Sequence, residues 1–234
     1  MILLLAIFSS ALPLWPASVS GRVELRDSRD PVVRKRLDYS GVVISLKPVR
    51  GSASVRPGER VIMRQKDKTF SPHVLAIPAG ASIEFPNADP IFHNAFSSYN
   101  GQIFDVGLYP PGSTRSVRFT REGVVRVFCN IHSSMSAVIV VLGTPYFGVT
   151  GRDGSFRIEG VPPGEYQLSV FHERATEAAL KGLERRITAE AGETNLQPLT
   201  ISETGFLPIP HKNKYGREYA AESDENSVYP AVRK

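Results

Sequence analysis

Cys129 is the only cysteine in a chain of 234 residues, and one short loop carries it together with His132 and Met135 in the run G-V-V-R-V-F-C-N-I-H-S-S-M. The alternation of Val125 and Val127 with polar neighbours reads as a strand that delivers Cys129 to the start of that loop. A thiolate, an imidazole and a weak axial thioether together favour copper cycling between two oxidation states over zinc or magnesium. Such a site needs a second imidazole. His93, in D-P-I-F-H-N-A-F, is the candidate, and Asn94 beside it is placed to lend a hydrogen bond that fixes the loop next to the thiolate. The expected donor set is therefore His93, Cys129, His132 and Met135. Against it stands a plainer reading, in which Cys129 is a buried free thiol on a strand and the other two are incidental loop residues. A single cysteine in an exported protein can stay free, pair between chains or bind metal. Of these, metal binding alone accounts for the neighbouring His132 and Met135.

The pattern H-N…C-x-x-H-x-x-M, preceded by F-S-P-H-V-L-A-I-P-A-G-A-S-I-E-F-P-N, resembles the small blue-copper proteins, the cupredoxins. The short ligand loop is similar to that of amicyanin and pseudoazurin rather than the longer loop of plastocyanin. The resemblance runs from about Val61 to Leu142, and all four ligand positions match. It implies a Greek-key β-sandwich holding one type 1 copper, with electron transfer as its function. Ser133 departs from the pattern, since short-loop relatives often carry proline there.

The elements that must position this loop begin after an apolar, uncharged run, Met1–Ser20, which suits the hydrophobic part of an export signal although it lacks a basic start. Cleavage is expected between Ser20 and Gly21, giving a periplasmic or secreted protein with no stable membrane anchor. Ser9, Ser10 and Pro13 interrupt the run, and it is short for a bilayer span. The remainder is long enough for two compact domains. Net charge is +5, from 28 Lys+Arg against 23 Asp+Glu. That mild excess, without a basic stripe interleaved with aromatics, argues against nucleic acid as a partner.

Short strands bounded by Pro, Gly or Asn follow one another from Val61, as in a β-sandwich. His73 lies where such a strand begins and reads as a structural histidine at a sheet end. Phe104, Leu108 and Tyr109 read as core or as a frame for the metal. After Leu142 the pattern changes. The run V-T-G-R-D-G-S-F-R-I-E-G-V-P-P-G-E-Y-Q-L-S-V-F-H resembles the carboxypeptidase regulatory-like, transthyretin-like β-sandwich, a fold that by itself assigns no catalysis. Its opening strands resemble G-R-V-E-L and S-G-V-V-I-S-L, which come before the copper stretch.

The expected organisation is thus all-β: a signal over 1–20, a discontinuous second sandwich over 21–53 and 143–204, a copper domain over 54–142, and a mixed-charge tail over 205–234 without order of its own. The insertion predicts that Val23 and Val43 pack against Phe156 and Tyr166. The alternative, in which the first strands edge the copper sandwich, predicts contacts with Val74 and Ile83. Between the first two strands, R-D-S-R-D-P-V-V-R-K-R-L-D reads as a solvated loop, Gly51–Pro57 as a linker, and Ala175–Arg186 as a short helix or a loop. A last strand is expected over Leu196–Ile201, and His211 has no expected role as a ligand.

The function that follows is an exported, non-enzymatic one-electron carrier that exchanges with redox proteins, acidic ones in particular. A periplasmic copper-binding or delivery protein and a structural envelope module are the alternatives. A copper oxidase or reductase is disfavoured, because no second histidine-rich cluster is present for substrate.

Overall fold

The computed structural model describes residues 17–55, 60–98, 101–207 and 211–219. The first sixteen residues of the expected export signal lie outside the described residues. The protein is all-β, with four main sheets stacked face to face around three apolar clusters.

Ala17–Arg26 is the central strand of the first layer. It pairs antiparallel with Ser155–Val161 and parallel with Glu193–Asn195 and Leu199–Ser202. Facing it is an antiparallel layer in the order Phe147–Val149, Val43–Pro48, Gly164–Phe171, Arg185–Ala189. Val19, Val23, Phe156 and Ile201 from the first layer meet Ile44, Leu46, Tyr166 and Leu168 from the second. Strands on either side of the 61–142 stretch in sequence are therefore hydrogen-bonded neighbours in space.

Val43 does not join Val23. It belongs to another apolar cluster with Ala76, Val138 and Val140, packed by Val74, Phe147 and Phe171. Side chains alternate across a strand, so when Val42 and Ile44 face one cluster Val43 must face the other. That contact stacks the second layer on a third, in which Val74–Pro78 pairs parallel with Ser136–Leu142, which pairs antiparallel with Gly123–Phe128. Phe96–Ser97 and Phe104–Asp105 extend the same sheet. The fourth layer, Thr114–Arg118, Ser82–Pro86 and Arg60–Ile62, closes the sandwich over Ile83, Phe85, Val125, Val127 and Ile139. Fully burying one such aliphatic or aromatic side chain contributes about 1.5–3 kcal/mol.

Three further details differ from the sequence reading, and a fourth decides between its two alternatives. The first strand starts at Ala17, so a junction between Ser20 and Gly21 would cut through it. Val19 is fully buried, the Ser18 N–H donates to the Gly192 carbonyl at 2.7 Å, and the Leu196 N–H donates to the Ser20 carbonyl at 2.8 Å. Within the charged stretch, Pro31–Arg36 is helical. Asp30 caps it by accepting from the Val32 N–H, proline occupies the first turn, and Val33 anchors it in the core. The last strand is Leu199–Ser202, preceded by the short Glu193–Asn195. In the 175–186 region the helix is confined to Glu177–Lys181, capped by Thr176.

Candidate metal centre

Cys129 follows directly on Gly123–Phe128, with Val125 and Val127 on the same face, and is fully buried among them. Phe128 points the other way. Beyond the cysteine the chain turns back on itself: the Met135 N–H donates to the His132 carbonyl and the Cys129 N–H to the Met135 carbonyl, both at 3.2 Å. This closed loop leaves His132 half-buried and Met135 fully buried in the same apolar cluster as Cys129.

His93 comes from the stretch that leads into Phe96–Ser97, where Phe96 pairs with Phe128 just before the cysteine. Its backbone is clamped to Tyr109, with His93 N–H donating to the Tyr109 carbonyl at 3.2 Å and the reverse bond at 2.9 Å. Tyr109 is itself held by its hydroxyl, which lies 2.8 Å from Gln65 Oε1 and 2.9 Å from the Phe85 carbonyl. Burial pushes its phenol well above the ordinary range, so it acts as a fixed strut. Gln65 Nε2 in turn donates to the Asn94 carbonyl at 3.2 Å.

The outcome is a convergence of donors. Cys129 Sγ lies 3.6 Å from His132 Nδ1 and 4.0 Å from His93 Nδ1, and the two imidazole rings stand at 68° with centroids 4.9 Å apart. Metal bonds to nitrogen and sulfur of about 2.0–2.3 Å limit two donors on one ion to separations of roughly twice that, so both sulfur–nitrogen gaps fit a single ion. Burial raises the Cys129 thiol above its ordinary value, while backbone N–H groups of Ile131, Asn94, His132 and Asn130 favour its anion. A cation in this cavity would replace the thiol proton and be shielded from water. His93 is held below its usual value chiefly by burial, against the pull of Asp89, so a neutral ring presents a lone pair.

The Asn94 side chain does not reach the ligand loop as expected. Its Nδ2 donates to Asp105 Oδ1 at 2.8 Å and to the Gly107 carbonyl at 2.9 Å, fixing that neighbouring turn, and it is the Asn94 backbone N–H that addresses the sulfur. Phe104 packs against Phe85 and Phe119, whereas Leu108 is exposed. His73 stays out of the cluster. It joins the Ser136 carbonyl at 3.0 Å to Glu173 at 2.9 Å, bridging the third layer and the end of the Gly164–Phe171 strand.

Two groups beside the centre were not legible as such in the sequence. Asp89 Oδ2 sits 2.7 Å from His93 Nε2, and the four-residue spacing in D-P-I-F-H was the available signal. Residues 211–219 lie across the ligand loop: His211 stacks on Phe128 at 4.0 Å, its Nε2 bonds the Ser133 carbonyl at 2.9 Å, and the Lys214 N–H donates to Asn130 Oδ1 at 3.0 Å.

No family model and no curated protein matches this chain. Solved structures align with parts of it. A purple cupredoxin from Nitrosopumilus maritimus is 23% identical over 36% of this chain and 99% of its own, with a TM-score of 0.32. A reduced amicyanin variant is 16% identical over 42% of this chain and 98% of its own, with a TM-score of 0.34. A copper-containing nitrite reductase from Thermus scotoductus is 23% identical over 51% of this chain, which spans only 28% of the reductase, with a TM-score of 0.35. Each alignment takes in only part of the chain, so the chemistry of the site rests on its own side chains. Among the described residues, His93, Cys129 and His132 form the one cluster of three or more such donors suited to a metal, and no helix is long and apolar enough to cross a membrane.

Proposed function

We propose that the protein is an exported copper protein acting as a one-electron carrier, in which His93, Cys129 and His132 would hold one type 1 copper and Met135, buried in the same cluster, would add a weaker thioether ligand. The observation that carries this reading is the meeting of one thiol and two imidazole nitrogens within 3.6 and 4.0 Å in a buried pocket. A bound copper would supply a reversible one-electron couple. The chain's part is to keep that site rigid. The Met135–His132 and Cys129–Met135 backbone bonds fix the loop, the His93–Tyr109 clamp fixes the opposite ligand, and the apolar cluster keeps water from the sulfur. Little rearrangement is then needed when charge changes.

Full burial of Cys129 and His93 favours a retained metal over one handed to another protein, so electron carriage is preferred to copper delivery. Half-buried His132 is the proposed point of electron entry and exit, and redox proteins in the periplasm or outside the cell are the proposed partners. With net charge +5, acidic partners are favoured in encounter. We read the strands before and after the copper stretch as one sandwich, 21–53 with 143–204, into which the copper domain is inserted. Their shared hydrogen bonding supports this, with the first strand extended back to Ala17.

The test is the addition of Cu(II) to the purified chain. An intense visible sulfur-to-copper band that bleaches on reduction and returns on oxidation is expected, and Cys129→Ser should abolish it. A wild-type protein with no such band, or a Cys129→Ser protein that keeps it, would overturn the assignment.

A further inference from the structure

A buried acid stands directly behind His93. Asp89 and His93 side chains are 7% and 0% exposed, and Asp89 Oδ2 lies 2.7 Å from His93 Nε2. The carboxylate is gripped from its other side, with the Lys68 N–H donating to Oδ2 at 2.9 Å and the Asp67 N–H to Oδ1 at 2.6 Å. Both donors come from the tip of the hairpin formed by Arg64–Lys66 and Thr69–Ser71, where Asp67 and Lys68 take left-handed φ values of 54° and 53°. Asp89 also has its own N–H bonded to Asn87 Oδ1 at 3.0 Å. The acid therefore cannot swing away from the ring.

A neutral imidazole carries one N–H. With a carboxylate on Nε2 the proton belongs there, and the Nδ1 lone pair is left to face Cys129 Sγ at 4.0 Å. A carboxylate behind a ligating histidine fixes its tautomer and orientation and strengthens it as a donor. The negative charge sits on the far side of the ring from the donor cluster, in a site that water does not screen.

Building on the copper reading above, we propose that Asp89 is a positioning residue of the metal centre: it locks His93 in the Nε2–H form and, through its charge, favours the oxidised copper over the reduced. The hairpin tip at Asp67 and Lys68 belongs to the same device, since its amides aim the carboxylate. The centre then consists of a ligand, the acid that orients it, and the turn that orients the acid.

Asp89→Asn removes the charge while its amide oxygen still accepts from Nε2–H and the Lys68 N–H; only the Asp67 N–H bond goes with it, since the amide NH2 cannot accept. The copper-loaded Asp89→Asn protein should keep the visible band, show a higher reduction potential than wild type, and lose Cu(II) about tenfold more readily, the lower end of the usual effect of removing such a partner. Asp89→Ala should lose copper more readily still. In the metal-free protein, nitrogen-15 NMR should find His93 in the Nε2–H form, with that proton slow to exchange. An Asp89→Asn protein with the wild-type band, potential and copper dissociation would overturn the proposal, and so would an Nδ1–H tautomer in the metal-free wild type. If wild type gives no sulfur-to-copper band, the copper reading fails by itself, and with it the part of the proposal that concerns oxidation state, while the NMR result decides the tautomer.

Discussion

Tyr219 donates its hydroxyl to the backbone carbonyl of Cys129 at 2.8 Å, and the same oxygen lies 3.1 Å from His211 Nδ1. A residue ninety positions downstream is thus tied to the cysteine that anchors the candidate metal loop. Burial, with Cys129 nearby, pushes the Tyr219 phenol up to about 12, so it remains a neutral donor at any ordinary pH. Lys214 adds a second tie through Asp105 Oδ2 at 2.7 Å, the acid whose other oxygen accepts from Asn94.

This bracing predicts a measurable effect of Tyr219→Phe. One neutral hydrogen bond is lost and the Cys129 carbonyl loses a partner, a cost of about 1 kcal/mol. Urea denaturation of the metal-free protein should register it. Truncation after residue 207 should do more, because the stacking of His211 on Phe128 goes too, and thiol reagents should then reach Cys129 faster. Equal labelling rates in the full and truncated chains would show that the segment does not guard the loop.

A pH dependence follows from His73. Its Nδ1 faces the Ser136 carbonyl and its Nε2 the Glu173 carboxylate, two acceptors that both favour the doubly protonated ring. The Glu173 bond is the main cause of a pKa raised above 6.5, opposed by burial. Glu173 is raised by burial but held below its usual 4.5 on balance by His73 and neighbouring positive charge. For the histidine, the stabilisation is complete below the unfolded value of 6.5 and is lost as pH rises through the higher folded value. For the glutamate it is present above 4.5 and is lost as pH falls through the lower folded value. Stability should therefore decline on the alkaline side of 6.5, and His73→Gln should flatten that decline. Urea midpoints from pH 5.5 to 8.5 for the two proteins would check it, and parallel curves would refute it.

Met135→Leu should leave the fold and copper uptake intact while shifting the reduction potential. Leucine and methionine have similar volumes, so packing costs less than about 1.5 kcal/mol, and a weak axial donor tunes a copper–thiolate site without anchoring it. Loss of copper binding in that variant would mean that the thioether is a principal ligand.

The nearness of Cys129 to His132 was legible because both sit in one loop, and the structure brings His93 to them. Cys129, His132 and Met135 sit in one loop, and their donor types alone point to copper. His93 could be found only by asking for a second imidazole. Asp89 escaped notice because an acid in an Asn-Ala-Asp-Pro turn looks like ordinary turn chemistry, and nothing in one dimension says that the Asp67–Lys68 hairpin closes over it. His211 and Tyr219 were illegible for another reason. Their contacts run to Phe128, Ser133 and Cys129 by stacking and single hydrogen bonds, which leave no periodic trace in a mixed-charge segment. The helix Pro31–Arg36 does carry a local signal that outweighs the charge run around it, since Asp-Pro supplies both a cap and a first-turn residue. Val43 differs from Val42 and Ile44 by one step of a two-residue period, and one step is enough to move a side chain from one cluster to the other.

The start of the first strand yields the last prediction. An export cut between Ser20 and Gly21 would remove the Ser18–Gly192 and Ser20–Leu196 backbone bonds, the parallel pairing with Glu193–Asn195, and fully buried Val19. Burying a valine contributes about 1.5–3 kcal/mol, and each backbone bond adds about 1 kcal/mol net. A chain starting at Gly21 should therefore unfold several kcal/mol more easily than one starting at Ala17. Gly21 adds a local reason for keeping this strand in register. A Cβ there would sit 2.8 Å from the Phe156 ring, so the aromatic closes directly onto the backbone beside the expected cut. If a leader is removed in the cell, the intact mass of the remaining chain should accordingly include Ala17 to Ser20. A mature chain found to begin at Gly21 with undiminished stability would show that the edge of this sheet does not need them.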